Sequence, residues 1–148
     1  MIVQGQTTSF KKELYEAIHD FTTDTFKIAL YTANATLNQN TLVYTDVDEV
    51  PETVLINGVP TPTGYTTGGQ ELLNATVNAS DGTAYISFDN ISWSTSSFTT
   101  RGALIYNSSQ DDRSVAVLDF GSDKTTTSTF TITFPANTAT SAIIRSSN

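Results

Sequence analysis

The sequence predicts a mainly β protein, an antiparallel β-sandwich of jelly-roll-like type with one short amphipathic helix near the N-terminus. Three observations predict it. From Phe26 onward apolar and polar residues alternate with a period of two, the pattern of strands with one buried face. Turn-forming residues recur about every 8–12 positions with no helical stretch between them, which disfavours parallel βαβ units. The 27 threonines and 15 serines fill the polar quota while charged residues make up only 15% of the chain, a balance that suits half-buried pleated surfaces. With 148 residues and 38% hydrophobic content the chain furnishes one core, hence one domain.

Residues 1–8 read as an N-terminal arm, because Ile2 and Val3 precede a polar run and have no core partner nearby in sequence. The domain proper spans 9–148. Phe10, Leu14, Ala17, Ile18 and Phe21 recur at spacings of three and four, so Ser9 to about Asp20 reads as the helix, N-capped by Ser9 or Thr8. Phe26, Ile28 and Leu30 then begin the period of two. Thr45 to Gly69 is a long loop insertion holding all but one of the prolines, and its Asn57-Gly58 dipeptide, the type I′ signature, predicts a small protruding hairpin. Leu72 to Ala79 and Ala84 to Phe88 form a second hairpin about Ser80-Asp81-Gly82. Phe98 to Tyr106 carries Ala103 and Ile105 on one face and Leu104 and Tyr106 on the other, which predicts a central strand buried on both sides. Ser114 to Phe120 is the next strand, closed by Gly121-Ser122-Asp123-Lys124. Phe130, Ile132 and Phe134 alternate with threonines until Pro135, and Ala142 to Arg145 is a short last strand, giving roughly eight strands in all.

Charge narrows the function classes. Seven Lys and Arg against fifteen Asp and Glu give a net charge of −8, which argues against direct binding to nucleic acid. No long apolar run and no basic leader followed by an apolar segment are present, so neither a membrane span nor a signal peptide is expected, and the chain reads as made in a cytoplasm. The absence of cysteine removes disulfides, thiol nucleophiles and thiolate metal sites.

The residues that could carry chemistry each have a structural reading. His19 is the only histidine, and near a helix end it can cap a carbonyl or face the helix dipole without catalysis. A Ser-His-Asp triad would also want a G-x-S-x-G elbow, which is missing. The carboxylates Asp46, Asp48, Glu49 and Glu52, and the pair Asp111 and Asp112, fall in polar loops and read as solvated charge rather than a glycosidase pair. Asp46-Val47-Asp48 opens like a calcium loop but lacks its glycine and bidentate glutamate. Asp119-Phe120-Gly121 lacks every other kinase element, and Gly64 to Gly69 lacks the lysine of a phosphate loop. The five N-x-S/T sequons, at Asn34, Asn74, Asn78, Asn90 and Asn107, are discounted without a signal peptide. Trp93, Phe98 and the tyrosines could stack on sugar rings in a carbohydrate-binding module, but in a β-sandwich such residues are more often core. No catalytic residue, cofactor or metal site is expected.

Several blocks carry a resemblance: Ser9-Phe10-Lys11-Lys12-Glu13-Leu14 leading to His19-Asp20-Phe21, then Phe26 to Thr32, Gly64 to Gly69, FTTRGALIYN at Phe98 to Asn107, SVAVLDFGSDK at Ser114 to Lys124, and Phe130 to Pro135. In their order, spanning nearly the whole chain, they resemble a family of small virion structural proteins of tailed bacteriophages. Pro51 to Pro62 is longer than in that pattern. The resemblance implies a non-enzymatic virion protein assembled in the bacterial host cytoplasm, first of all a capsid decoration or cement protein on the head surface that binds the major capsid protein and stabilises the head. A tail or fibre component, as a connector or a receptor-facing and glycan-binding module, is the alternative, and a polysaccharide-active virion enzyme is a third class that finds no carboxylate pair. Expected partners are the major capsid protein or neighbouring virion proteins, with a homo-oligomer suiting a particle component. Two partner contacts are expected: Ile2 and Val3, added to a partner's sheet edge, and the Asn57-Gly58 tip. Phe10, Leu14 and Ile18 would close the sandwich's own open side.

Overall fold

The computed structural model describes residues 1–147; the predicted last residue of the domain, Asn148, lies outside the described residues. The chain is mainly β and antiparallel, with strands β1 (Gly5–Gln6), β2 (Phe26–Tyr31), β3 (Thr53–Ile56), β4 (Val59–Pro62), β5 (Gln70–Glu71), β6 (Thr76–Ser80), β7 (Thr83–Ser87), β8 (Ile91–Trp93), β9 (Phe98–Asn107), β10 (Arg113–Thr126), β11 (Phe130–Ile132) and β12 (Ile144–Ser147), and helix α1 (Thr8–Tyr15) between β1 and β2. These exceed the roughly eight strands expected, because strands as short as the two-residue β1 and β5 leave no periodicity to read.

A five-stranded sheet in the order β1-β10-β9-β2-β5 forms the centre, accompanied by β12-β7-β6 and the pairs β11-β8 and β3-β4. The strand expected to be central is central: β9 lies between β10 and β2. Its alternation separates two cores. Ala103 and Ile105, with Phe26, Ile28 and Leu30 of β2, face the larger one, which Phe10, Ile86, Trp93, Ile132 and Ile144 close from the opposite layer. Leu104 and Tyr106, with Ala29, Tyr31 and Val117, face the smaller one, closed by Ile2, Ala35, Leu37 and the half-buried Tyr44. Burying each large apolar side chain in this way stabilises the fold by about 1.5–3 kcal/mol.

The segment read as a free arm is tied to the body, and its Ile2 is part of the second core. Ile2 is buried and bridges Leu37, the Val3 amide donates to the Leu37 carbonyl at 2.8 Å, and Gly5 and Gln6 pair with Val117 and Ala116. The core partners of Ile2 come from residues 35–37 and from β9 and β10, far away in sequence, which is why the local run offered no hint of them.

The helix is shorter than its apolar pattern. It is N-capped by Thr7, one residue before Thr8 and two before Ser9, the expected caps, and the Thr7 side chain accepts from the Phe10 amide. It ends in a Schellman arrangement, with the Ala17 amide bonded to the Leu14 carbonyl at 3.2 Å and the Ile18 amide to the Glu13 carbonyl at 3.1 Å. Ala17 takes the left-handed conformation, φ 57°, that reverses the chain. This reversal returns Phe21 to stack on Phe26 with ring centroids 4.2 Å apart.

Strand β10 also departs from expectation. Gly121 to Lys124 does not close it; the register slips from Asp119 opposite Gly102 to Lys124 opposite Thr100, so the segment bulges outward and the strand resumes. Arg101, facing the bulge, pairs with Asp119 at 3.3 Å and approaches Asp123 at 4.0 Å.

Candidate functional site

The long loop is anchored before it projects. Asp48 and Val50 bond to the Thr32 amide and the Leu30 carbonyl at 2.9 Å each, adding the chain to the edge of β2. Between them Glu49 is buried, not solvated as expected. Its carboxylate accepts hydrogen bonds from the Tyr65 hydroxyl, from the Tyr44 hydroxyl at 2.7 Å and from the Gly68 amide at 2.8 Å. The Tyr65 hydroxyl in turn accepts from the Leu30 amide at 2.8 Å, tying the loop's return to β2. Burial, then the Glu49 carboxylate, push the Tyr44 and Tyr65 hydroxyls well above the ordinary range, which keeps both as donors. Glu52 accepts from the Thr67 amide at 2.8 Å, and that bond holds its carboxyl below the usual range. Asp46 and Asp48 are exposed, as read.

From this anchored base β3 and β4 project as the expected hairpin. Asn57 and Gly58 form its two-residue turn with φ of 49° and 76°, the conformation that the type I′ signature demands. The hairpin is apolar yet almost wholly uncovered: Leu55 is 73%, Val59 61%, Ile56 51% and Val54 40% exposed. A two-stranded hairpin standing alone is marginal in water, and clustered exposed apolar residues mark contact sites.

The other expected contact is divided. Ile2 is committed to the core, and Val3 beside it is 44% exposed. Trp93 and Phe98 are core residues, which removes them as an exposed sugar-stacking platform.

His19 sits in a buried polar chain. Its Nε2 lies 2.7 Å from Glu13 Oε2, and its Nδ1 accepts from Asn107 Nδ2 at 3.0 Å. The Asn107 amide also donates to Asp24 at 2.8 Å, and Arg113 pairs with the other Glu13 oxygen at 2.8 Å. Every member has a structural partner, and the chain stitches the helix to the end of β9 and the start of β10. Asn107, one of the sequon residues, is fully buried there.

A groove of about 660 Å³ beside the β10 bulge carries Asp119 and Asp123 together with Phe120 and Phe130. The Gly121 amide, then Arg101, hold the Asp119 carboxyl below its usual range, the opposite of what a general acid needs. Asp111 and Asp112 form an exposed left-handed turn with φ of 52° and 55°. Among the described residues no group of three or more His, Asp or Glu side chains is placed to hold a metal ion, and no helix is long and apolar enough to cross a membrane.

Comparison with protein families, curated proteins and solved structures finds no match.

Proposed function

We propose that the chain is a non-enzymatic structural protein of a bacteriophage virion, a head decoration or cement protein that binds the major capsid protein. The observation that carries the reading is the β3-β4 hairpin, an exposed apolar contact element held out from a base that the buried Glu49 anchors. The resemblance of its sequence blocks, in their order, to small virion proteins of tailed phages points to the same class. An acidic, cysteine-free β body also suits assembly in a reducing compartment, and many modest contacts repeated over a shell add through multivalency.

The test is copy number per purified particle, by quantitative mass spectrometry against the major capsid protein. Hundreds of copies in fixed ratio to the capsid protein is the expected result. A few to a few dozen would move the protein to the tail or a fibre, and absence from particles would overturn the reading.

A further inference from the structure

The two type I′ hairpins, β3-β4 and β6-β7, leave different edges open. In a two-residue hairpin the residues flanking the turn form a hydrogen-bonded pair, and alternate residues beyond it turn their amide and carbonyl groups outward. With Ile56 opposite Val59, and the ladder continuing as the Thr63 amide bonds to the Glu52 carbonyl at 2.8 Å, the outward positions are Thr53 and Leu55 on β3 and Pro60 and Pro62 on β4. Proline has no amide hydrogen, so the outer edge of β4 cannot donate to another strand. The outer edge of β3 can, and among the described residues nothing pairs with it.

The second hairpin has the same form. Ser80 opposes Thr83 across Asp81-Gly82, whose φ of 50° and 77° again make a type I′ turn, so Val77 and Ala79 point their backbone groups away from β7. Strand β6 is the last strand of its sheet and exposed along its whole length. It carries none of the charges, prolines or bulges that normally blunt a sheet edge.

Both open edges are uncharged in a chain of net charge −8: no Asp, Glu, Lys or Arg occurs from Thr53 to Gln70 or from Leu72 to Ser80. Two copies brought together there avoid the repulsion between acidic surfaces. We infer that the β3 edge of one copy adds to the β6 edge of another, a head-to-tail contact between copies of this chain that pairs backbone edges and leaves the faces of the hairpin open to other partners. The closed edge of β4 makes the hairpin one-sided. Contacts of this kind use a different patch on each partner and build rings or open arrays rather than two-fold dimers. The inference goes beyond the virion reading and concerns the isolated chain.

Proline placed at an outward position tests it without removing a bond within either hairpin, as Pro60 and Pro62 already illustrate. The wild-type chain, L55P and A79P are compared by sedimentation velocity over a wide concentration range, with Trp93 fluorescence confirming that each is folded. The wild-type mass is expected to rise with concentration, and each variant alone to stay monomeric. An equimolar mixture of L55P and A79P, which retains one intact edge of each type, is expected to form a 1:1 dimer and nothing larger. A wild-type chain that stays monomeric throughout, meaning that the edges serve a different partner, overturns the inference. So does undiminished association of either variant, or failure of the mixture to pair. If a proline variant fails to fold, L55K and A79K replace it, placing a charge on the same edge, and the same outcomes apply.

Discussion

His19 Nε2 lies 2.7 Å from Glu13 Oε2, with both side chains buried beneath the turn that ends the helix. The second oxygen of that carboxylate meets Arg113 on β10, so one glutamate joins a helix, its reversal and a central strand. Such a group stabilises only while it is ionised and partnered.

Glu13→Ala is therefore expected to cost about 3 kcal/mol, because it strands a buried imidazole and a guanidinium. Burial works against the Glu13 charge, but hydrogen bonds from His19 and Arg113 prevail and hold its carboxyl below the usual 4.5. Since the folded-state value is the lower one, the contribution is complete above pH 4.5 and lost as pH falls through the folded value. Urea titrations of wild type and variant followed by Trp93 fluorescence should show a stability gap that is constant above pH 4.5 and narrows as pH is lowered below it. A gap independent of pH would refute the assignment.

Alkali should act on the tyrosines. Burial raises Tyr31, Tyr44, Tyr65 and Tyr106 above their ordinary value near 10, with the Glu49 charge reinforcing it in each case and Asp112 adding at Tyr106. The folded protein keeps protons that the unfolded chain releases, so this stability is present below about pH 10 and lost as pH rises beyond it. Phenolate absorbance is expected to show these four tyrosines titrating late, together with unfolding. Glu49→Gln should advance Tyr44 and Tyr65 and cost about 2 kcal/mol, since an amide nitrogen then faces hydrogen-bond donors.

Gly69 packs with φ 74° against β2, where an added Cβ would overlap the carbonyl of Ile28. Gly82, with φ 77°, faces open space. Thermal unfolding should separate them: Gly82→Ala is expected to cost about 1 kcal/mol for its conformation alone, and Gly69→Ala about 3 kcal/mol or more because backbone must move. Equal losses would show that contact with β2 is unimportant.

Truncating the N-terminus should weaken the fold. Ile2→Ala is expected to cost about 2–4 kcal/mol, as for other buried isoleucines, while Val3→Ala should stay within about 0.5 kcal/mol. Chemical denaturation of both variants checks this, and an unaffected Ile2→Ala protein would restore the picture of an independent arm.

Some of this was legible in residue order because the physics is local. The two faces of β9 follow from strand alternation, and both type I′ turns follow from dipeptides that tolerate positive φ. The Glu49 site was not legible: its donors Tyr44, Tyr65 and Gly68 converge only after the loop folds back on β2, and in sequence the glutamate is one of four carboxylates in a polar stretch. Likewise Gly121 reads as a strand end, and only opposite Arg101 does it become part of a bulge.

The sequence by itself determined the class of fold, the central strand and the projecting hairpin, because alternation and turn chemistry act between near neighbours. Tertiary structure alone decided that Ile2 belongs to the core, that Glu49 is an anchor, and which strand edges stay open. Those outcomes depend on which distant segments arrive to cover a surface, and a surface left uncovered has no signature in the order of its residues.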